Sequence, residues 1–342
     1  MAVNKLAMHD AVGNEGSVGR RFVLAHLSDP HLGPLPEPSV RELASKRLLG
    51  YINWRRSRHR IHRRDTLDAI TRDLRGEQPD HVAVTGDLVN IALPAEFVHA
   101  RRWLETLGKP ADVSLVPGNH DAYVAAAGLH LDLHWPPYMA GDEALHHAPS
   151  RPVVENDGPH SDGGQQPPSV EGGETIRFPY LRRRGPVALI GVSTAVATLP
   201  FMATGRVGER QIERVGRMLD DLRAENRFRV VMIHHPPLPS ARHKCLIDAS
   251  AFQRVIAAGG AELIIHGHDH VHSLVWIAGN GARVPVVGVP SASASARTKR
   301  RAGAYNLYFI GGRPGAWSCE VVSRGLRPSG AVAELNRFAL SW

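Results

Sequence analysis

The chain has 342 residues, 43% of them hydrophobic and 22% charged, an ordinary globular composition whose length fits one large domain with insertions. Two cysteines, Cys245 and Cys319, are too few for a disulfide framework, no apolar run approaches the roughly 20 residues needed to cross a bilayer, and residues 1–20 lack the apolar centre of a signal peptide. A cytoplasmic protein is expected. The net charge of +8 is local: Arg41, Lys46, Arg47, Arg55, Arg56, Arg58, Arg60, Arg63 and Arg64 face one acid, Glu42, within residues 41–64, and the rest of the chain is balanced.

In chain order, residues 1–20 read as a flexible N-terminus and residues 21–323 as one α/β domain. A first apolar run, 22–27, reads as a buried strand and is followed by Asp29-Pro30-His31. A basic insertion covers 33–64, and a helix is predicted over 66–75. Strand 81–85 leads into Gly86-Asp87, helix 95–107 follows, and strand 112–116 leads into Gly118-Asn119-His120-Asp121. Residues 146–174, rich in Gly, Pro, Ser and acids, read as a flexible loop. Strand 187–193 precedes a helix over 209–225, where Ile212, Val215, Leu219 and Leu222 recur at helical spacing. Strand 229–233 then leads into His234-His235-Pro236. Helix 250–258 precedes strand 262–265, which leads into Gly267-His268-Asp269-His270. Runs 284–289 and 305–310 complete the strands. Residues 324–342 form a C-terminal extension, read as a strand or short helix on the sheet edge in preference to a membrane contact.

Strands alternating with helices indicate layered α/β architecture. In such folds the carboxyl ends of strands share a rim, so motifs distant in sequence converge. The residues that converge are Asp29, His31, Asp87, Asn119, His234, His268 and His270. Carboxylates, imidazoles and one amide, without thiolate, suit Mn, Fe, Zn or Mg at a hydrolytic site. There are too many ligands for one ion, which points to a pair sharing a carboxylate and activating water. His235 should face away from its neighbour His234 and serve a structural role. Asp269 should face solvent or a backbone amide.

The ordered set DPH, GD, GNHD, HHP and GHDH resembles the calcineurin-like metallophosphoesterase family, in particular its bacterial phosphodiesterase branch. The resemblance covers about residues 22–310 and implies a four-layer β-sandwich flanked by helices. It implies that Asp29, His31, Asp87 and His270 hold one divalent ion and that Asp87, Asn119, His234 and His268 hold the other, Mn or Fe being favoured. It also implies that His120 protonates the leaving oxygen, with Asp121 orienting its imidazole. The longer GDxxDRG motif of the protein phosphatases is absent, since the chain reads Gly86-Asp87-Leu88-Val89-Asn90.

The ester is left open by these motifs. The basic insertion begins beside a metal motif and interleaves Leu48, Leu49, Tyr51, Ile52 and Trp54 with cations. One reading is a helix that packs its apolar residues on the sandwich while its arginines are solvated. The other is a lid at an anionic membrane face, which favours phospholipid or another lipid-linked diester and peripheral association at the inner face of the membrane. Nucleic acid is the less favoured partner. Alternatives are a cyclic-nucleotide or glycerophosphodiester phosphodiesterase, a lipid-sugar nucleotide pyrophosphatase, a nuclease, and a non-catalytic metal-binding scaffold.

Overall fold

The structure, a computed structural model, describes residues 20–145, 178–296 and 302–342. The expected loop over 146–174 lies outside them, as does nearly all of the N-terminal segment.

Two six-stranded sheets form the centre. In the first, β1 (Phe22–Leu27), β2 (His81–Val84) and β3 (Val113–Leu115) run parallel. Antiparallel to β1 lies the long β10 (Ala304–Arg313), extended by β11 (Ala316–Leu326) and β12 (Val332–Leu340). The second sheet takes its parallel centre from β5 (Val187–Gly191), β6 (Phe228–Met232), β7 (Leu263–His266) and β9 (Arg283–Gly288). Antiparallel strands β4 (Tyr180–Arg184) and β8 (Ser273–Ala278) close its edges.

Side-chain alternation explains the layers. On β5, Val187 and Leu189 enter the core between the sheets, whereas Ala188 and Ile190 face outward. The outward set packs against Ile212, Val215, Leu219 and Leu222 of helix 209–224 and against Phe252 and Ile256 of helix 249–259. The first sheet is covered by helix 64–76, through Leu67, Ile70 and Leu74, and by helix 94–107, through Phe97, Trp103 and Leu104. Each of these helices buries one apolar stripe, as helical periodicity requires. The result is the expected four-layer sandwich.

Four strands escape the sequence pattern, each for a physical reason. Strand β4 reads Tyr-Leu-Arg-Arg-Arg, yet Arg182 is fully buried. Its guanidinium donates to the carbonyls of Ala140, Pro110, Val113 and Pro137 at 2.6–2.8 Å, and so behaves as an interior hydrogen-bonding post. Strands β8 and β12 are edge strands with mixed exposure, and β11 alternates. The C-terminal stretch therefore finishes the first sheet, with Arg324 of β11 paired to Asp73 of helix 64–76 at 2.8 Å.

The basic insertion forms short helices at Val40–Leu43, Arg47–Asn53 and His59–Ile61, the last two joined by one wide π-helical turn over Trp54–Arg58. Its arginines are largely solvated, as one reading expected, but its apolar residues do not form a packed face. Leu48, Leu49, Ile52 and Ile61 are exposed, while Trp54 is buried. Several cations turn inward: Arg47 donates to the carbonyls of Ile91 and Ala92, and Lys46 donates to Thr198.

Candidate metal centre

The five motifs follow the carboxyl ends of β1, β2, β3, β6 and β7, and all reach one rim where the two sheets meet. The turns that carry them are sharp. Asp29, His31, Asp87, His268 and His270 all have positive φ, between 37° and 67°. Side chains other than glycine rarely adopt this conformation, so the strain concentrates on the candidate ligands. Gly118 lies so close to Asp87 that a Cβ there would strike its carboxylate, and a Cβ on Gly267 would strike Asp29. The glycines of these motifs are there for close approach.

Each carboxylate has one oxygen braced by backbone and the other turned toward imidazoles. Asp29 Oδ2 accepts from the His268 N–H at 3.1 Å, leaving Oδ1 3.0 Å from His270 Nε2 and 4.0 Å from His31 Nε2. Asp87 Oδ1 accepts from the His120 N–H at 2.7 Å, leaving Oδ2 3.8 Å from His31 Nε2 and 3.5 Å from His234 Nε2. Asp87 thus stands between the two ligand sets, where a shared carboxylate belongs. On the far side Asn119 Oδ1 lies 3.2 Å from His234 Nε2 and 3.1 Å from His268 Nδ1.

The imidazole tautomers provide the test of fit. His31 Nδ1 donates to the Val89 carbonyl at 3.2 Å, His234 Nδ1 to Thr85 at 2.6 Å and His268 Nε2 to Lys244 at 2.9 Å. Each bond fixes the proton on the outer nitrogen and turns the other lone pair into the site, the arrangement of metal-ligating histidines. Donor atoms bound about 2.0–2.2 Å from one ion sit roughly 3–4 Å apart, as these do. Burial pushes the pKa of His31 well below its ordinary value, so the ring is neutral and free to ligate. Burial and the neighbouring Asp29 push Asp87 well up. Asp29 itself is buried, yet the charge and hydrogen bond of His270 hold its carboxyl down. Two carboxylates crowded in this way call for cationic charge between them. The donors fit a pair of divalent cations.

His120 stands at the edge of the donor set, a ring nitrogen within 4.8 Å of donor atoms of His31 and Asp87. Its Nδ1 donates to the Asn90 carbonyl at 2.5 Å, and its ring stacks on Tyr123 at 5.6 Å. The role expected of Asp121 is corrected by this geometry. The Asp121 carboxylate accepts from the backbone N–H groups of Asp87, Leu88, Val89 and Gly118, so it knits the β2 and β3 loops together and leaves the imidazole to Asn90. The Asn90 turn is braced in its own right: Glu96 of helix 94–107 accepts from the N–H groups of Asn90, Ile91 and Leu93. His235 is structural, its two ring nitrogens bonded to Thr194 Oγ1 at 2.7 Å and the Ala203 carbonyl at 3.1 Å. Asp269 pairs with Lys244 at 3.0 Å instead of facing solvent or an amide.

Two residues of the insertion also reach the centre, and sequence reasoning missed both. His62 packs edge-on against His31 at 4.4 Å, and His31, His62 and His270 offer nitrogens within 4.8 Å of one another. Arg58 places its guanidinium on His120 and His31. Only the position of the insertion directly after Asp29-Pro30-His31 hinted at such proximity.

A family model for calcineurin-like phosphoesterases matches residues 22–272, which span every motif above. The chain belongs to that family. It is 34% identical over 102 residues to the glycerophosphodiester phosphodiesterase GpdQ of Enterobacter lignolyticus (strain SCF1), a match covering 29% of this chain and 30% of that relative. Among solved structures, a dimetal phosphatase from Danio rerio shares the fold at TM-score 0.55 and 12% identity, over 94% of this chain and 99% of the other. The purple acid phosphatase PPD1 from yellow lupin (Lupinus luteus) seeds does so at TM-score 0.54 and 12% identity, over 94% and 53%. The donor set above is the candidate metal centre of this calcineurin-like chain.

Proposed function

We propose that this phosphoesterase is a phosphodiesterase using two divalent cations, manganese or iron by preference, and that its substrate is a phospholipid or another lipid-linked diester. Asp29, His31, Asp87 and His270 would hold one cation, and Asp87, Asn119, His234 and His268 the other. When bound, such cations supply a water-derived nucleophile at neutral pH and offset charge on phosphoryl oxygens. The observation that carries the reading is the placement of His120: it stands beside Asp87, its Nδ1 held by the Asn90 carbonyl and its Nε2 facing the site. Once it takes up a second proton on that nitrogen, an imidazole so held can give it to a leaving alcohol. The partial match to a glycerophosphodiester phosphodiesterase supports a diester.

The lipid reading draws support from the surface of the insertion. Exposed Leu48, Leu49, Ile52 and Ile61 share it with exposed Arg55, Arg56 and Arg60. Through Lys46 and Thr198 it adjoins a loop carrying exposed Leu199, Phe201 and Met202. Apolar side chains flanked by cations suit the boundary of an anionic bilayer, where each cation contributes about 1 kcal/mol. Arg58, counted among the surface cations by sequence, faces inward and takes no part in this surface.

The test is a panel of aryl, glycerol, cyclic-nucleotide and vesicle-borne lipid diesters offered to metal-loaded protein. Charge reversal at Arg55, Arg56 and Arg60 should weaken binding to anionic vesicles and turnover of their lipids, and leave a small soluble diester unaffected. Salt should mimic the substitutions, since screening shortens to about 3 Å at 1 M. Binding to single-stranded nucleic acid in place of vesicles would make a nuclease the better reading.

A further inference from the structure

The guanidinium of Arg58 is the one charged group of the insertion that enters the metal centre among the described residues. Its Nη1 lies 2.9 Å from His120 Nε2, and its Nη2 lies 3.1 Å from both ring nitrogens of His31. The His120 Nδ1 proton goes to a backbone carbonyl, so the His120 Nε2 lone pair accepts from Arg58, whereas the guanidinium lies across His31, equidistant from both of its ring nitrogens. Arg58 Nε is buried without any hydrogen-bond partner. No carboxylate forms an ion pair with Arg58 among the described residues. Asp87 and Asp29 act on it only through space.

An arginine almost always keeps its charge, and a half-buried cation set against two neutral imidazoles, its Nε unpartnered, is short of an anion. The deficit becomes larger in the working protein. Two divalent ions held by the surrounding donors would offset the charge of Asp29 and Asp87, the carboxylates whose field now reaches Arg58. The guanidinium then keeps its place only if an anion joins it. His31 and His120 stand ring to ring with centroids 4.9 Å apart, so an ester that meets both would lie on the side they share, where Arg58 stands. A planar, forked donor is suited to two phosphoryl oxygens at once.

The geometry points to Arg58 as the residue that recognises the phosphoryl group, delivered into the metal centre by the wide turn Trp54–Arg58. The basic insertion is therefore part of the active site as well as a surface. The reading rests on phosphoester chemistry at this centre, but not on any particular ester. Its structural supports lie nearby. Buried Trp54 anchors the turn, and Lys46 sits 4.3 Å over the ring of Tyr123, which stacks on His120. Gly50 approaches Ile91 and Tyr123 so closely that a Cβ would collide with both. The turn is held against the site from two sides.

Inorganic phosphate is the probe. Its affinity for metal-loaded wild type, Arg58→Gln and Arg58→Lys is measured by titration calorimetry, with metal content read on the same samples by elemental analysis and folding by thermal melting. Loss of a charge-assisted hydrogen-bond pair should weaken phosphate binding in Arg58→Gln on the order of ten- to a hundredfold. Metal content should be unchanged, and Arg58→Lys should fall between, since a lysine keeps the charge without the fork. Should Arg58→Gln fail to fold, the Lys variant still has to show weaker phosphate binding at full metal content. Phosphate binding equal to wild type, or a loss matched by loss of metal, overturns the assignment. Failure of the metal-loaded protein to hydrolyse any ester would overturn the phosphoester reading and leave the phosphate result standing by itself.

Discussion

At the scale of single residues, His120 and its neighbour Asp121 separate chemistry from architecture. His120→Ala removes an imidazole assigned to neither cation in the proposed function, so metal content should persist while turnover falls by about 10²–10⁴. The loss should shrink for a nitrophenolate leaving group, which departs without protonation, and comparing the two leaving groups in steady-state assays checks this. Equal losses would assign His120 to charge stabilisation instead. Asp121→Ala should behave differently. It strands four buried N–H groups, each costing about 1–3 kcal/mol when unsatisfied. Stability should therefore drop by several kcal/mol in denaturant titrations, with metal affinity falling alongside because the β2 and β3 loops lose their common brace. Asp121 was legible as important and misread in role. The triplet Asn-His-Asp shows adjacency along the chain, whereas the direction of the carboxylate is set by a loop more than 30 residues upstream.

At the scale of elements, helix 64–76 is tied to the first sheet by more than its apolar stripe. Asp73 accepts from Arg324 of β11 at 2.8 Å and from the Tyr305 hydroxyl of β10 at 2.6 Å. Burial alone would raise its carboxyl, but the hydrogen bonds from Arg324 and Tyr305 win and hold it below its ordinary value. A depressed carboxylate contributes stability above the unfolded pKa and loses it as pH falls through the folded one. The contribution should be complete above about pH 4–5 and fade in more acidic solution. Asp73→Asn should cost about 1 kcal/mol at neutral pH, since solvent reaches the pair. It should also flatten that part of the pH dependence, as thermal melts of both proteins across pH 3–7 would show. The insertion makes the complementary point. Its alternation of cations and apolar residues was legible, but which of them turn inward was not. Helical periodicity over a stretch broken into Val40–Leu43, Arg47–Asn53, a π turn and His59–Ile61 keeps no single face.

At the scale of the whole molecule, the metal centre is a joint between the two sheets. Asp29, Asp87 and Asn119 come from the first, and His234, His268 and His270 from the second. Cations bound there cross-link both halves and bind the folded state alone. Chelation should therefore lower the melting temperature, with a stabilisation lost of about 2.7 kcal/mol for each ion held at a hundred times its dissociation constant. Calorimetric melts with and without chelator, followed by readdition of manganese, measure it. An unchanged melting temperature after verified metal removal would argue that the sheets are held by their apolar core alone.

The sequence by itself determined the family, the alternation of strands and helices, and which motifs converge on one rim, because each depends on local pattern: apolar runs that must be buried, and turn residues that must follow them. Strands β1, β2, β3, β5, β6, β7, β9 and β10 were visible for that reason, and the motifs at five of their ends were legible with them. Only the tertiary structure decided what depends on direction in space. It turned Arg182 into the core and Arg58 into the metal centre. It gave the His120 imidazole to the Asn90 carbonyl, and it brought His62 beside His31. A charged or polar side chain carries no local signal of where it points. Its direction follows from which carbonyls and imidazoles the fold leaves in need of a donor, and that is settled only when the sheets have met.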